Sequence, residues 1–165
     1  MAPSRRAAAA LPTEDEEDVR FDVGNRLFFR LYQASNLMHK TGSRSVAEYG
    51  STTQQWAVLG ALSRLAVRDE GMTVKELIEF LLVSRQNLTA VLNRLERSRF
   101  IERTRTDADG RIRRVRLTAH GAKTWARMLA NIRSYYADAL EGFTTEECAM
   151  LYRLLDRLRS RLAEF

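Results

Sequence analysis

The sequence predicts a mainly α-helical protein with one small β-hairpin, on three observations. Only eight Gly and two Pro occur in 165 residues, and both prolines, Pro3 and Pro12, stand near the start, so little interrupts a helix. Apolar residues recur at the helical period in successive stretches, several of them opened by Thr-x-x-Glu, a capping box. Asp109-Gly110 separates two β-capable runs, a strong hairpin signal.

Taken in order, residues 1–12 are low in complexity and read as a flexible tail. Five consecutive acids, Glu14 to Asp18, favour a helix N-terminus through the macrodipole, and Thr13 with Glu16 fits a capping box. Leu27, Phe28, Leu31 and Met38 carry an amphipathic helix from Phe21 to about Lys40, after which Gly42, Ser43 and Gly50 mark a loop. A second helix is expected from about Thr53 to Val67. Thr73-Val74-Lys75-Glu76 caps a short helix running to about Leu81. Ser84 then opens another, on which Leu88, Val91, Leu92 and Leu95 share one face. Two short helices joined by about three residues form a helix-turn-helix candidate. The hairpin follows over Ile101–Thr106 and Ile112–Thr118. Trp125, Met128, Leu129, Ile132, Tyr135, Tyr136, Ala139 and Leu140 hold a long helix that Gly142 stops, and Thr144 with Glu147 caps a final one carrying Leu151, Leu154, Leu155, Leu158 and Leu162. The terminal helices have apolar stripes that no lobe of their own covers. A second copy of the chain is the simplest cover.

Composition narrows the function. The single cysteine, Cys148, excludes an internal disulfide and any multi-Cys zinc site, and two histidines, His39 and His120, are too few for most metal centres. No metal and no cofactor are expected. No apolar run approaches the roughly 18–20 residues that span a bilayer, so no membrane partner and a cytoplasmic location are expected. Enzyme motifs such as G-x-S-x-G, H-E-x-x-H and the phosphate-binding glycine loops are absent from the sequence. An enzyme is not expected.

Charge is concentrated rather than spread. The chain has formal charge +6 from 27 Lys+Arg against 21 Asp+Glu. Between Ser84 and Thr118 stand ten arginines (85, 94, 97, 99, 103, 105, 111, 113, 114 and 116) against four acids, so this segment alone carries the whole +6. A basic helix-turn-helix followed by a basic hairpin is an electrostatic footprint for duplex DNA. Opposite its apolar face, the helix from Ser84 presents Arg85, Gln86, Thr89, Ala90 and Asn93, side chains able to read base edges. Arg94 and Arg97 at the rim suit phosphates, as does Arg114, while Arg113 adds to the basic hairpin. Arg111 at the hairpin tip suits a narrow minor groove.

These residues resemble the MarR-type winged-helix transcription regulators. The resemblance runs through Thr73-Val74-Lys75-Glu76-Leu77, Val83-Ser84, Asn93-Arg94-Leu95-Glu96 and Ile101-Glu102-Arg103. It closes on Asp109-Gly110-Arg111 and Val115-Arg116-Leu117-Thr118-Ala119-His120-Gly121, similar to the family's wing signature. It implies a winged helix-turn-helix over residues 52–118 and a helical dimerisation lobe made of residues 13–45 and 119–165. It further implies a homodimer on a pseudo-palindromic operator, with Asp109 bracing Arg111 by an ion pair. One departure is Ser98-Arg99-Phe100, where the family commonly has glycine, so Arg99 is expected to take the left-handed cap conformation.

The expected function is therefore a homodimeric, sequence-specific DNA-binding regulator, a repressor released by a small effector. The alternative is a non-specific architectural DNA-binding protein without effector, against which the base-reading set on the helix from Ser84 argues. The resemblance implies an effector of aromatic acid, phenolic or thioester type, for which Met38, His39, Arg44, Tyr49 and Trp56 are the candidate residues. For each of these alone, a core or capping role is the competing reading. Cys148, beside Glu146 and Glu147, reads as a packed or idle cysteine rather than a redox sensor.

Overall fold

Each Ser or Thr expected to start a helix within the computed structural model, which describes residues 14–105 and 113–165, does so by hydrogen bonding. Thr73 and Thr144 form reciprocal capping boxes with Glu76 and Glu147, and Ser84 Oγ accepts from the Asn87 N–H at 3.2 Å. Thr52 and Gln55 form a further box, readable in retrospect as Thr-x-x-Gln. The elements are α1 (Glu14–Ser45), a 3-10 turn (Ala47–Tyr49), α2 (Thr53–Leu62), β1 (Met72–Thr73), α3 (Val74–Leu81), α4 (Arg85–Arg97), β2 (Ile101–Arg105), β3 (Arg113–Leu117), α5 (Ala119–Ala139) and α6 (Thr145–Leu162). The mainly helical class with a small β element is thus the observed one. Thr13 and the segment 1–12 lie outside the described residues.

Three boundaries differ from expectation. The first helix extends to Ser45 through the expected loop. Gly42 is helical and buried there, and a Cβ on it would come within 2.7 Å of Thr53 Cγ2 and 3.1 Å of Trp56, so the missing side chain is what lets α2 approach. Ser43 Oγ accepts from the Thr53 N–H at 3.1 Å and fixes that junction. The second helix ends at Leu62, five residues short of the expected Val67, with Ser63 Oγ turned back onto the Gly60 carbonyl at 2.9 Å. The hairpin is one part of a three-stranded antiparallel sheet in the order β1-β3-β2, with Met72 opposite Val115 and Ile101 opposite Leu117. A two-residue strand has no periodicity to announce it.

The chain divides into two compact units, Met1–Lys40 and Thr41–Phe165. The second holds the core: Val58, Leu59 and Leu62 of α2, Leu77 of α3, Leu88, Val91, Leu92 and Leu95 of α4, Ile101 and Val115 of the sheet, and Met128 and Ile132 of α5 are all buried. Each buried leucine contributes roughly 2 kcal/mol of hydrophobic stabilisation, and these side chains hold α4 by one face only. At the sheet's junction with α5, Gly121 lies so near Phe100 that a Cβ would fall 1.8 Å from its carbonyl oxygen. Thr118 secures the same corner, its hydroxyl donating to the Arg99 carbonyl at 2.6 Å and accepting from the Gly121 N–H at 2.9 Å.

Two helices carry apolar surface that stays open in the single chain. In the first unit, Val19, Phe21, Val23, Leu27, Phe29 and Tyr32 of α1 are exposed. In the second, α6 buries no residue and exposes Met150, Leu151, Tyr152, Leu154, Leu155 and Leu162.

Candidate nucleic-acid interface

Helix α4 is bipartite by construction. Its inner face is pinned to the core through Leu88, Val91, Leu92 and Leu95, which turns Arg85, Gln86, Thr89, Ala90, Asn93, Arg94 and Arg97 outward, all of them exposed. Gln86, Ala90, Asn93 and Arg97 follow one another at helical spacing along the centre of that outer face. Thr89 lends its hydroxyl to the Arg85 carbonyl at 2.7 Å, which leaves its methyl and oxygen lone pairs outward. Arg97 is steadied by a 3.3 Å bond from its Nε to the Asn93 carbonyl, with its two terminal amino groups left for acidic partners. Asn87, exposed in the first turn of the helix, is a neighbour of this face that the sequence reading does not name.

The turn feeding α4 is strained. Leu82 sits in the left-handed region at φ 54° and ψ 44°, and Arg99, just past the helix, does so at φ 57°. The second bears out the expectation drawn from the missing glycine in Ser98-Arg99-Phe100. A non-glycine residue in this region costs roughly 1–2 kcal/mol. Both positions flank α4 and set how it enters and leaves the domain.

The sheet arginines behave differently from those of α4. Arg114, expected to contact phosphate, donates from Nη1 to the Gly71 carbonyl at 2.8 Å and lies 3.8 Å from Glu76 Oε2, with its side chain one quarter exposed. Arg116 pairs with Glu102 across the two strands at 2.6 Å. Arg103 Nη2 donates to Asn93 Oδ1 at 2.6 Å, and its Nε lies 3.4 Å from Glu96 Oε2. Three of the ten arginines in the segment therefore hold the sheet to α3, to α4 and to itself. The Glu76 carboxyl is held below its usual range chiefly by the Thr73 N–H it accepts, against the opposing effect of burial and with further help from the Thr73 hydroxyl and Arg114. Asp109 and Arg111 lie outside the described residues, as does the side chain of Arg113.

The candidate effector residues are dispersed over both units. Met38 and His39 belong to α1 before Lys40 and are exposed. In the second unit, Arg44 is exposed at the end of α1. Tyr49 packs on the core, its hydroxyl directed at the Arg127 carbonyl at 3.4 Å and its ring 5.6 Å from the Arg127 guanidinium. Trp56 also packs on the core and meets Tyr135 edge-on at 6.0 Å and Tyr136 at 5.7 Å. Burial followed by the neighbouring Tyr135 raises the Tyr136 hydroxyl above its ordinary value. The sequence did not point to Tyr135 and Tyr136 as neighbours of Trp56, because they stand some 80 residues away on α5. Cys148 is half-buried. Among the described residues, no group of three His, Cys, Asp or Glu is placed to hold a metal, and no helix is long and apolar enough to cross a membrane.

The sequence model of the MarR family matches residues 49–112. The transcriptional activatory protein BadR of Rhodopseudomonas palustris is 43% identical over 159 residues, covering 93% of this chain and 90% of BadR. Among solved structures, the organohalide-sensing regulator RdhR-CbdbA1625 with 2,4-dichlorophenol bound has a TM-score of 0.75 at 19% identity, covering 97% of this chain and 89% of that one. Reduced AbfR bound to DNA, a Staphylococcus epidermidis protein, has a TM-score of 0.71 at 23% identity, covering 90% of this chain and 99% of that one. At such identities the structural likeness establishes the fold.

Proposed function

The chain belongs to the MarR family of DNA-binding transcription regulators, and on that premise we propose that it works as a homodimer reading a pseudo-palindromic operator. The observation that carries this reading is the outer face of α4, where Arg85, Gln86, Thr89, Ala90 and Asn93 stand exposed on a helix whose other face is locked in the core. Arg to guanine, Gln or Asn to adenine, and Ala or the Thr methyl to the thymine methyl are the pairings this set permits in a major groove. Arg94 and Arg97 take phosphates, and Arg111, braced by Asp109, takes the adjacent minor groove.

Residues 52–118 form the DNA-binding lobe in this reading, and residues 13–45 and 119–165 the dimerisation helices. Support comes from the apolar faces of α1 and α6, which a second copy would cover. Two-fold pairing places the two α4 helices on half-sites roughly 34 Å apart, one turn of duplex. Footprinting on genomic fragments tests the reading. A bounded two-fold protected region is expected, whereas uniform coverage would mark an architectural protein.

The effector of this reading is a small aromatic acid, a phenol or a thioester. Arg44 offers a cation, and Tyr49 and Trp56 offer rings, with Met38 and His39 the candidates on the first unit. The dichlorophenol-bound neighbour supports a phenolic class. A thermal-shift series of aromatic acids, phenols and thioesters reads binding directly, since a ligand of the native state raises stability by mass action. A hit that also releases DNA supports effector control, and a Trp56→Ala variant that keeps the whole response removes Trp56 from the site.

In the first form of this proposal the dimer is a repressor that leaves DNA when the effector binds. The name of the 43% identical relative, a transcriptional activatory protein, favours a second form in which occupancy of the operator raises transcription. Deleting the gene separates them, because target transcription rises for a repressor and falls for an activator.

A further inference from the structure

We propose that Arg103, a sheet residue, is a positioning residue for base reading: it locks the Asn93 amide so that Nδ2 acts as a hydrogen-bond donor toward DNA. The inference rests on the reading that α4 contacts base edges. Arg103 lies third in β2, opposite Val115 of β3, and its guanidinium reaches back to α4. Nη2 donates to Asn93 Oδ1 over 2.6 Å, a short charge-assisted bond. Its Nε is buried and lies 3.4 Å from Glu96 Oε2, an electrostatic contact that holds the guanidinium in place.

The chemistry allows one amide orientation. A guanidinium carries donors only, so Asn93 must present its oxygen to Arg103, and the flipped amide would set NH2 against NH2. Nδ2, with two protons, is then the end of Asn93 left for an outside partner on this exposed stretch of the helix. In the major groove guanine offers O6 and N7, adenine offers N7 and thymine offers O4, all acceptors, while cytosine offers an N4–H2 donor. A locked donor therefore favours an acceptor-bearing edge and disfavours cytosine. Asparagine free to turn would tolerate either. This alters the adenine pairing expected for Asn93: the oxygen that would accept from adenine N6 already serves Arg103, so Nδ2 to N7 is the contact that remains, and guanine offers that acceptor as well.

The test uses the full-length protein and duplexes selected from a random pool, followed by competition with each of the four bases at every half-site position. For the wild-type protein, one position per half-site is expected to disfavour cytosine by about tenfold, the range of a good base contact. Arg103→Met should cut that discrimination severalfold at the same position, leaving the other positions and the salt slope unchanged. Asn93→Ala should remove it, and Arg103→Met added to Asn93→Ala should change nothing further. Arg103→Lys, which restores a donor to Oδ1, should recover part of it. Glu96→Gln should loosen the lock in the same direction but less, and it serves in place of Arg103→Met if that variant fails to fold. Uniform weakening of all sequences by Arg103→Met with a flatter salt slope would make Arg103 a phosphate contact and overturn the proposal. An Asn93→Ala protein that keeps the cytosine discrimination would also overturn it. A wild-type protein that selects no motif defeats the base-reading function itself, an outcome distinct from these.

Discussion

Arg114 of β3 closes the gap between the sheet and the start of α3: its Nη1 donates to the Gly71 carbonyl at 2.8 Å and lies 3.8 Å from the Glu76 carboxylate. Gly71 can take that place because its φ is +76°, and a Cβ there would meet the Val115 carbonyl oxygen at 2.4 Å. One guanidinium thus joins β3, the residue before β1, and the capping box of α3. Arg114→Met is expected to lower stability by about 1–2 kcal/mol, the range for a hydrogen bond from a charged group after allowance for its partial exposure. The midpoint of thermal unfolding should fall by a few degrees at fixed protein concentration. A flatter salt slope for DNA binding with no loss of stability would instead assign Arg114 to phosphate.

Leu82 and Arg99 both occupy the left-handed region without being glycine. Replacing either by glycine removes a Cβ clash worth roughly 1–2 kcal/mol and adds some freedom to the unfolded chain. Leu82→Gly and Arg99→Gly are each expected to raise unfolding stability by about 1 kcal/mol in urea titration. A loss of stability in either would show that the side chain contributes more than its backbone strain costs.

The carboxyls of Glu76 and Glu147 are both held below the usual range, each chiefly by the backbone N–H of the threonine it caps. A folded-state pKa below the unfolded one contributes stability above the unfolded value and loses it as pH falls through the folded value. The thermal midpoint should therefore decline from about pH 5 downward. The Glu76→Gln and Glu147→Gln double variant should show a lower midpoint at neutral pH and a shallower decline in acid. Equal slopes for the two proteins would remove these caps from the acid response.

Leu154 and Leu155 of α6 are 48% and 41% exposed in the single chain, on a helix that buries nothing. If α6 forms the proposed dimer, Leu154→Arg with Leu155→Glu should convert that dimer to a monomer in sedimentation and weaken operator binding strongly, because two linked half-sites gain avidity over one. An unchanged sedimentation coefficient would place the dimer contact elsewhere.

Much of this architecture was readable before any coordinates. Thr73, Ser84 and Thr144 announced helix starts because capping is local chemistry, and the spacing of Leu88, Val91, Leu92 and Leu95 already divided α4 into inner and outer faces. Arg99 was legible as a left-handed residue through the glycine it replaces. Leu82, under the same strain, was not, because nothing in its neighbourhood marks a turn needing positive φ. Gly42 sits inside a helix because its lack of a side chain makes room for Thr53 and Trp56 of α2, a contact its neighbours in sequence do not announce, and β1 exists only because β3 lies beside it. Likewise, Arg103, Arg114 and Arg116 counted as part of one basic surface until strand register set each beside an acceptor. Local signals predicted the elements, and contacts distant in sequence decided which arginines face outward.

Sequence-specific DNA binding is tested most simply by comparing affinity for a selected operator and for a scrambled duplex of equal length over a series of salt concentrations. A steep salt dependence is expected on both duplexes, with a preference for the operator of roughly 10³-fold or more. Gln86→Ala should shrink that preference, and Arg97→Ala should weaken both duplexes equally with a smaller slope. Equal affinity of the wild-type protein for operator and scrambled DNA would contradict sequence-specific binding.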